Sequence, residues 1–291
     1  LVKTMRASIL VLGSMVAKYG YAKIALPGGC AIGSRPVNYH LKALEKLGAE
    51  ISLNNGYIEA KAKKLTGANI EFEGVTVTGT ENLMMAASLA EGLTTLTNVA
   101  KEPEISDLAD FLNSMGAKIS GAGTDEIRIE GVEELTGTTF KIPADRIEAG
   151  TYLVAAAITN GKITIKKIDS ARMGSIIETL QKAGAEVCLN ENSISLDMTK
   201  NTIKPVDIVT APFPGFPTDM QAQFTVLNCI GHGESSVKET IFENRFMHVQ
   251  ELNRMGTDIT INGTTALING VDSISGAQVM ATDLRASASL I

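Results

Sequence analysis

The segment Leu44–Ile51, which reads LEKLGAEI, recurs with small changes along the 291-residue chain. Related segments lie at Leu112–Ile119, Leu180–Val187 and Leu252–Ile259, so their glycines are 68 to 72 residues apart. A glycine after an apolar helical pattern commonly ends a helix, because it adopts positive φ without strain. Each copy therefore predicts the end of a helix, a left-handed glycine and the start of a strand.

A second glycine pattern alternates with the first. Segments such as Met84–Ala90 (MMAASLA) and Leu153–Ile158 (LVAAAI) are apolar nearly all round, which is typical of buried helices. A β-rich run follows the glycine after each such helix. The four pairs are Gly20 with Ala22–Leu26, Gly92 with Leu93–Val99, Gly161 with Lys162–Ile168, and Gly233 with Ser235–Phe242.

Together the patterns predict a repeat of about 70 residues built as βαβαββ. The final hairpin of a unit, such as Glu186–Leu196, alternates in polarity, so its strands face water on one side. We therefore expect an inside-out α/β fold with buried helices and outer sheets, in two domains at 1–144 and 145–291. Because Thr4–Ser8 resembles Thr282–Ser287, we also expect an internal segment of a longer protein.

Composition limits the classes of partner. The chain is 44% hydrophobic and 20% charged, with a net charge of −6, and it has no basic patch for nucleic acid. Three widely spaced cysteines favour a reducing cytoplasm over a disulfide framework. No histidine and cysteine spacing suits a structural metal, and no apolar run reaches transmembrane length. We expect a cytoplasmic protein without a metal, a cofactor, nucleic acid or a membrane.

The stretch Leu26–Pro36, which reads LPGGCAIGSRP, combines a thiol and a guanidinium with several glycines and prolines. Its glycines and prolines predict a loop that can approach a ligand closely. Cys30 and Arg35 lie on this loop. Nearby positive charge lowers the pKa of a thiol, and a guanidinium suits carboxylate and phosphate.

Four motifs in the same order resemble the enolpyruvyl transferase family, in its branch that uses UDP-N-acetylglucosamine. They are Leu26–Pro36, Ala211–Gln223, Phe242–His248 and Ala281–Ser287. The resemblance covers the whole chain and implies two domains of three βαβαββ units each. It also implies transfer of the enolpyruvyl group of phosphoenolpyruvate to the 3′-hydroxyl of UDP-N-acetylglucosamine, with release of phosphate, as the first committed step of peptidoglycan synthesis.

The resemblance implies a role for each matching residue. Cys30 is the acid that protonates phosphoenolpyruvate and the target of fosfomycin-type inhibitors, and Asp219 is the base for the sugar hydroxyl. From the residues alone, a helix N-terminal carboxylate stabilised by the helix dipole would be the preferred interpretation of Asp219. Asp283 either pairs with an arginine or contacts substrate. The arginines that match family residues for the anionic substrates are Arg6, Arg35, Arg245 and Arg285.

The nucleotide-sugar contacts implied by the resemblance depart from the family at two positions. Asn38 stands where an aspartate is common, and Gly74 stands where lysine can occur. Neither position would therefore offer a charged side chain to the nucleotide sugar. Ile241 would contribute its backbone carbonyl. The full set is Arg6, Arg35, Pro36, Val37, Asn38, Tyr39, Gly74, Val75, Thr76, Val77, Asp219 and Ile241.

Other residues and functions are weighed against this assignment. We interpret Cys188 and Cys229 as structural, His248 as a positioning residue and His40 as a surface residue. The alternative functions are the related shikimate-phosphate enolpyruvyl transferase and an inactive repeat scaffold. The first of these would not be expected to carry the Cys30 loop.

Overall fold

The computed structural model describes residues 5–27, 33, 37–281 and 283–291. The chain divides into two compact units, with the division between Ile142 and Pro143. We propose that these units correspond to the two domains expected from the repeats.

The first unit begins with a 3-10 turn at Arg6–Ile9 and continues with alternating helices and strands. Its helices are α1 (Leu10–Tyr19), α2 (Asn38–Lys46), α3 (Val77–Ala87) and α4 (Pro103–Ser114). Its strands are β1 (Tyr21–Ala25), β2 (Glu50–Asn54), β3 (Tyr57–Lys61), β4 (Asn69–Glu71), β5 (Leu93–Thr97), β6 (Lys118–Ser120) and β7 (Glu126–Glu130).

The second unit repeats this order and adds two 3-10 turns, at Ser170–Met173 and Thr218–Met220. Its helices are α5 (Arg146–Ile158), α6 (Gly174–Lys182), α7 (Gln221–Cys229), α8 (Met247–Arg254) and α9 (Leu284–Ser289). Its strands are β8 (Lys162–Lys166), β9 (Glu186–Asn190), β10 (Ser193–Asp197), β11 (Ile208–Val209), β12 (Glu234–Lys238), β13 (Asp258–Asn262) and β14 (Thr265–Asn269).

The four sheets formed by the described residues confirm the repeat. Two of them have four strands, in the orders β4-β5-β7-β6 and β11-β12-β14-β13, and each begins with a parallel pair followed by antiparallel pairs. The other two, β1-β3-β2 and β8-β10-β9, are the same sheet without its first strand. The expected strand before α5 is therefore wrong, since residues 131–145 are described and contain none. Pro143 in this stretch has no N–H to donate to a neighbouring strand.

The first glycine pattern is confirmed, because Gly48, Gly116, Gly184 and Gly256 follow α2, α4, α6 and α8 with φ between +91° and +101°. The second pattern is met only in part: Gly20 directly follows α1, but α3 and α7 end at Ala87 and Cys229, several residues before Gly92 and Gly233. At the end of α5, however, the positive φ of 50° belongs to Asn160 and not to Gly161. Asparagine tolerates this region better than other residues with a Cβ, so the turn moves by one residue.

Buried helices confirm the inside-out arrangement within each unit. Eight residues of α7, and most of α3, are buried, whereas β10 alternates between buried Ile194 and Leu196 and more exposed neighbours. The expectation is only partly met by α1, where Val11 and Met15 are exposed at 44% and 38%. In the described ranges, no helix combines the length and apolarity needed to cross a membrane.

A prediction about stability follows from one buried hydroxyl in the first unit. Thr94 on β5 is fully buried, and its Oγ1 has no hydrogen-bond partner among the described residues. An unpaired buried hydroxyl costs about 1–3 kcal/mol, so Thr94→Val should raise the free energy of unfolding by roughly 1 kcal/mol. Urea unfolding of both proteins measures this difference.

Thr80 is the matched control for Thr94. Its buried hydroxyl donates to the carbonyl of Thr76 at 2.8 Å and accepts the N–H of Ala100 at 3.2 Å. Thr80→Val should therefore destabilise the protein by roughly 1–2 kcal/mol. Equal effects of the two substitutions would contradict the prediction.

Candidate functional site

Three of the predicted site residues cannot be placed. Cys30, Arg35 and Pro36 lie outside the residues that the structure describes. The remaining predicted residues fall into one group in each unit, and the group in the second unit contains the predicted base.

Asp219 and Arg245 form the centre of the second group. Asp219 follows Pro217 in the 3-10 turn that leads into α7, and its side chain is 40% exposed. Arg245 lies just before α8 and is 6% exposed, and its Nη2 donates to Asp219 Oδ1 at 2.7 Å. The guanidinium also lies over the Phe242 ring, 5.3 Å from its centroid. These contacts hold the guanidinium in one orientation against the carboxylate.

Arg285 joins the same carboxylate from α9. Its Nε lies 3.7 Å from Asp219 Oδ2, and its Nη2 lies 3.9 Å from Asp145 Oδ2. Asp145 and Asp283 are both N-cap residues, the first accepting backbone N–H groups at the start of α5 and the second those of Arg285 and Ala286. Asp283 therefore fixes the backbone that presents Arg285. The structure thus brings together Asp219, Arg245, Arg285 and Asp283, as the motifs led us to expect.

Two residues of this group were missed at the level of sequence. Arg245 Nη1 donates to Thr218 Oγ1 at 2.8 Å, and Thr218 Oγ1 donates to Glu239 Oε2 at 2.8 Å. Glu239, just after β12, is 2% exposed and also accepts the N–H of Ile241 at 2.8 Å. Thr218 directly precedes the predicted base Asp219, and this adjacency in the sequence could have identified it as a candidate site residue. Glu239 resembles an ordinary charged residue at a strand end, and only its burial distinguishes it.

The group in the first unit contains most of the predicted nucleotide-sugar residues. Asn38 and Tyr39 begin α2, and Val37 is the residue before it. The Tyr39 hydroxyl lies 3.3 Å from where a Cβ on Gly74 would stand, so these two segments are adjacent. The entry to α3 is ordered by Thr76, whose hydroxyl accepts the N–H of Gly79 at 3.2 Å.

His40 corrects one sequence-based prediction, because it is 2% exposed and not a surface residue. Its Nδ1 lies 3.1 Å from Asn82 Nδ2, and its Nε2 lies 3.4 Å from Thr78 Oγ1. The amide nitrogen of Asn82 can only donate, so His40 Nδ1 is the acceptor and the ring proton is on Nε2. Burial, and then the positive charge of Arg6, lower the pKa of His40 to about 4. His40 is therefore a neutral core residue that links α2 to α3.

A pH dependence of stability follows from His40. Because its pKa is about 4 in the folded protein and about 6.5 when unfolded, its neutral form stabilises the fold fully above pH 6.5. This contribution is lost as the pH falls from 6.5 through 4. His40→Gln keeps an acceptor and a donor but does not titrate. The wild type should therefore lose about 2 kcal/mol more than the variant between pH 7 and pH 5.

Urea unfolding at the two pH values checks this difference. Glu81 acts in the opposite direction over the same range, because burial and the nearby Glu104 and Glu102 raise its pKa to about 7. Its contribution is common to both proteins and cancels in the comparison. Parallel pH profiles for the wild type and His40→Gln would contradict the assignment.

Of the remaining histidine and cysteine residues, His248 and Cys229 are buried and Cys188 is exposed. His248 on α8 is fully buried, and burial lowers its pKa to about 4, although the negative charge of Asp283 opposes this. Cys229 is buried in α7 and donates to the Thr225 carbonyl at 3.2 Å, and burial raises its pKa to about 12. Cys188 lies exposed on β9. A positioning role for His248 stays a prediction.

The second group has the properties of an anion site that can also accept a proton. Arg245 and Arg285 place two guanidinium groups beside one carboxylate, and guanidinium groups are suited to binding phosphate and carboxylate ligands. Asp219 Oδ1 accepts from Arg245, Oδ2 lies 3.7 Å from Arg285 Nε, and the Asp219 side chain is 40% exposed. A partly exposed carboxylate next to fixed cations suits acid–base work on an anionic substrate.

Comparison with known proteins places the sequence of this chain in a family. The model of EPSP synthase (3-phosphoshikimate 1-carboxyvinyltransferase) matches residues 1–291. The chain is 61% identical over its whole length to the UDP-N-acetylglucosamine 1-carboxyvinyltransferase of Hydrogenovibrio crunogenus and 62% identical to that of Ruthia magnifica. It spans 70% of the length of each of these relatives.

Solved structures agree on the fold. The enolpyruvyl transferase NikO from Streptomyces tendae matches 98% of this chain with a TM-score of 0.86 at 22% identity, over 69% of its own length. EPSP synthase from Acinetobacter baumannii matches 97% with a TM-score of 0.68 at 20% identity, also over 69% of its length. Both support the inside-out α/β fold built from repeated units. By sequence along its whole length, this chain belongs to the EPSP synthase (3-phosphoshikimate 1-carboxyvinyltransferase) family of enolpyruvyl transferases.

Proposed function

We propose that this protein transfers the enolpyruvyl group of phosphoenolpyruvate to the 3′-hydroxyl of UDP-N-acetylglucosamine and releases phosphate. The observation that carries the proposal is the identity of about 60%, measured over the whole chain, with UDP-N-acetylglucosamine 1-carboxyvinyltransferases. This activity would place the protein at the first committed step of peptidoglycan synthesis, in the cytoplasm, with a role in cell shape and division.

The proposed chemistry is addition followed by elimination. Cys30 gives a proton to the methylene carbon of phosphoenolpyruvate while the sugar oxygen bonds to the adjacent carbon, and Asp219 accepts the hydroxyl proton. Loss of a proton from the new methyl group and departure of phosphate restore the double bond. Both substrates and the intermediate are anionic, so Arg6, Arg35, Arg245 and Arg285 supply the stabilising charge.

We assign the nucleotide sugar to the residues that match the family contacts. These are the segments 35–39 and 74–77, Asp219 and the backbone of Ile241. The ordered starts of α2 and α3, and the adjacency of Tyr39 and Gly74, support the assignment of the two segments. Asn38 and Gly74 offer no charge, so uracil and diphosphate contacts there would depend on neutral hydrogen bonds.

Calorimetric titration tests the function directly. The 291-residue chain, and a version extended to the length of the relatives, are titrated with UDP-N-acetylglucosamine and separately with shikimate 3-phosphate. We expect binding of the nucleotide sugar, and release of phosphate from phosphoenolpyruvate only in its presence. Binding of shikimate 3-phosphate instead would support the related transferase. Binding of neither by either version would support an inactive repeat scaffold.

A further inference from the structure

Glu239 is a buried carboxylate that joins three separate segments of the second unit. Its Oε1 accepts from Thr210 Oγ1 at 2.9 Å and from the N–H groups of Ile241 and Phe242 at 2.8 and 3.2 Å. Its Oε2 accepts from Thr218 Oγ1 at 2.8 Å. A carboxylate that is 2% exposed is costly to bury, and these four hydrogen bonds offset that cost.

The hydrogen bond from Thr218 has a fixed direction. A guanidinium only donates, so the Thr218 hydroxyl accepts from Arg245 and its single proton points at Glu239. The lone pairs of the same hydroxyl are then turned toward Arg245 Nη1, which donates to it at 2.8 Å. The other terminal nitrogen of Arg245 donates to Asp219 at 2.7 Å. The orientation of the guanidinium is thus set from one side by Glu239 and from the other by Asp219.

We propose that Glu239 is a positioning residue for the transfer reaction. Acting through Thr218, it holds Arg245 against Asp219, and through its other oxygen it shapes the backbone at Ile241. One buried carboxylate thereby aligns the predicted base with a predicted nucleotide-sugar contact. The inference rests on the proposed function, because the residues that it aligns are the ones assigned to that reaction.

Two substitutions separate the two halves of this role. Thr218→Val has nearly the same shape but removes only the link to Arg245. It should lower kcat by roughly 10- to 100-fold, as expected for a displaced charged group, and leave the Kd for UDP-N-acetylglucosamine within about threefold. Glu239→Gln cannot accept at both ends, because one oxygen becomes an NH₂ donor. It should lower kcat similarly and also raise that Kd by about tenfold.

Two further variants control for stability. Thr225 is fully buried in α7, and its hydroxyl donates to the Gln221 carbonyl at 2.9 Å, away from Glu239. Thr225→Val should lower the Tm about as much as Thr218→Val and leave kcat unchanged. Thr218→Ser keeps the hydroxyl and should recover most of the lost turnover. If Thr225→Val lowers kcat as much as Thr218→Val does, the positioning role is overturned.

A spectroscopic measurement does not depend on turnover. In protein labelled with ¹⁵N-arginine, a guanidinium fixed on both sides should give separate, slowly exchanging Nη signals for Arg245, assigned by their loss in Arg245→Lys. Thr218→Val and Glu239→Gln should average these signals, and Thr225→Val should not. Unchanged Arg245 signals in Thr218→Val, or wild-type kcat in that variant, would overturn the inference. A wild-type protein without transferase activity would instead overturn the proposed function, while these signals would still decide whether Glu239 holds Arg245.

Discussion

Asp219→Asn is expected to lower turnover by about 10² or more and to leave nucleotide-sugar binding within about tenfold. The substitution has the same shape, and an amide oxygen can still accept from Arg245 at the position of Oδ1. It removes the negative charge and the ability to take a proton from the sugar hydroxyl. Loss of a general base therefore appears in kcat and much less in Kd.

The measurement is steady-state release of phosphate together with calorimetric titration of UDP-N-acetylglucosamine. Asp207→Asn is the matched control, because Asp207 is also a hydrogen-bonded carboxylate of the second unit but accepts from Ser236 at the sheet. It should leave kcat unchanged. Turnover of Asp219→Asn near that of the wild type would remove Asp219 from the chemistry and leave it as a residue at the start of α7.

The fold was predictable wherever local chemistry decides it. A glycine such as Gly48 ends its helix through its own backbone freedom, so a period of about 70 residues identified the repeated unit. The expected strand before α5 was wrong because strand formation depends on a partner that the local sequence does not supply. The partly exposed face of α1 was missed for a related reason. An apolar composition shows that a helix can be buried, not what packs against it.

The site was predictable where residues form recognisable motifs and not where tertiary burial defines their role. Asp219, Arg245 and Arg285 come from separate motifs, and the structure brings them together. Glu239 was missed because a charged residue after a strand is usually solvated. His40 was assigned to the surface because nothing near it in sequence shows that Asn82, 42 residues away, lies against its ring.

Cys30→Asp is expected to retain activity, with its optimum moved to lower pH, whereas Cys30→Ser should be nearly inactive. The assigned role of Cys30 is that of an acid, which needs a titratable proton and not sulfur as such. A carboxyl group loses its proton near pH 4 and a thiol near pH 8.5, so the aspartate variant can donate only under more acidic conditions. The hydroxyl of serine is too weak an acid to replace either. Turnover measured against pH for the three proteins checks this expectation, and equal activity of the serine and aspartate variants would contradict it.

Alkylation by a small anionic electrophile, such as the epoxide phosphonate fosfomycin, provides the second measurement on Cys30. Cations gathered for phosphoenolpyruvate would also stabilise its thiolate and attract the anionic reagent. Cys229 is a poor competitor, because it is buried and its pKa is raised to about 12. Cys188 is exposed on β9 and is therefore the internal control for simple accessibility. Mass spectrometry should find the label on Cys30 first in the wild type, and Cys30→Asp should lose that label because a carboxylate is a poor nucleophile toward an epoxide. Labelling of Cys188 before Cys30 would show that accessibility, and not an activated thiolate, governs the reaction, and the acid assignment would then be wrong.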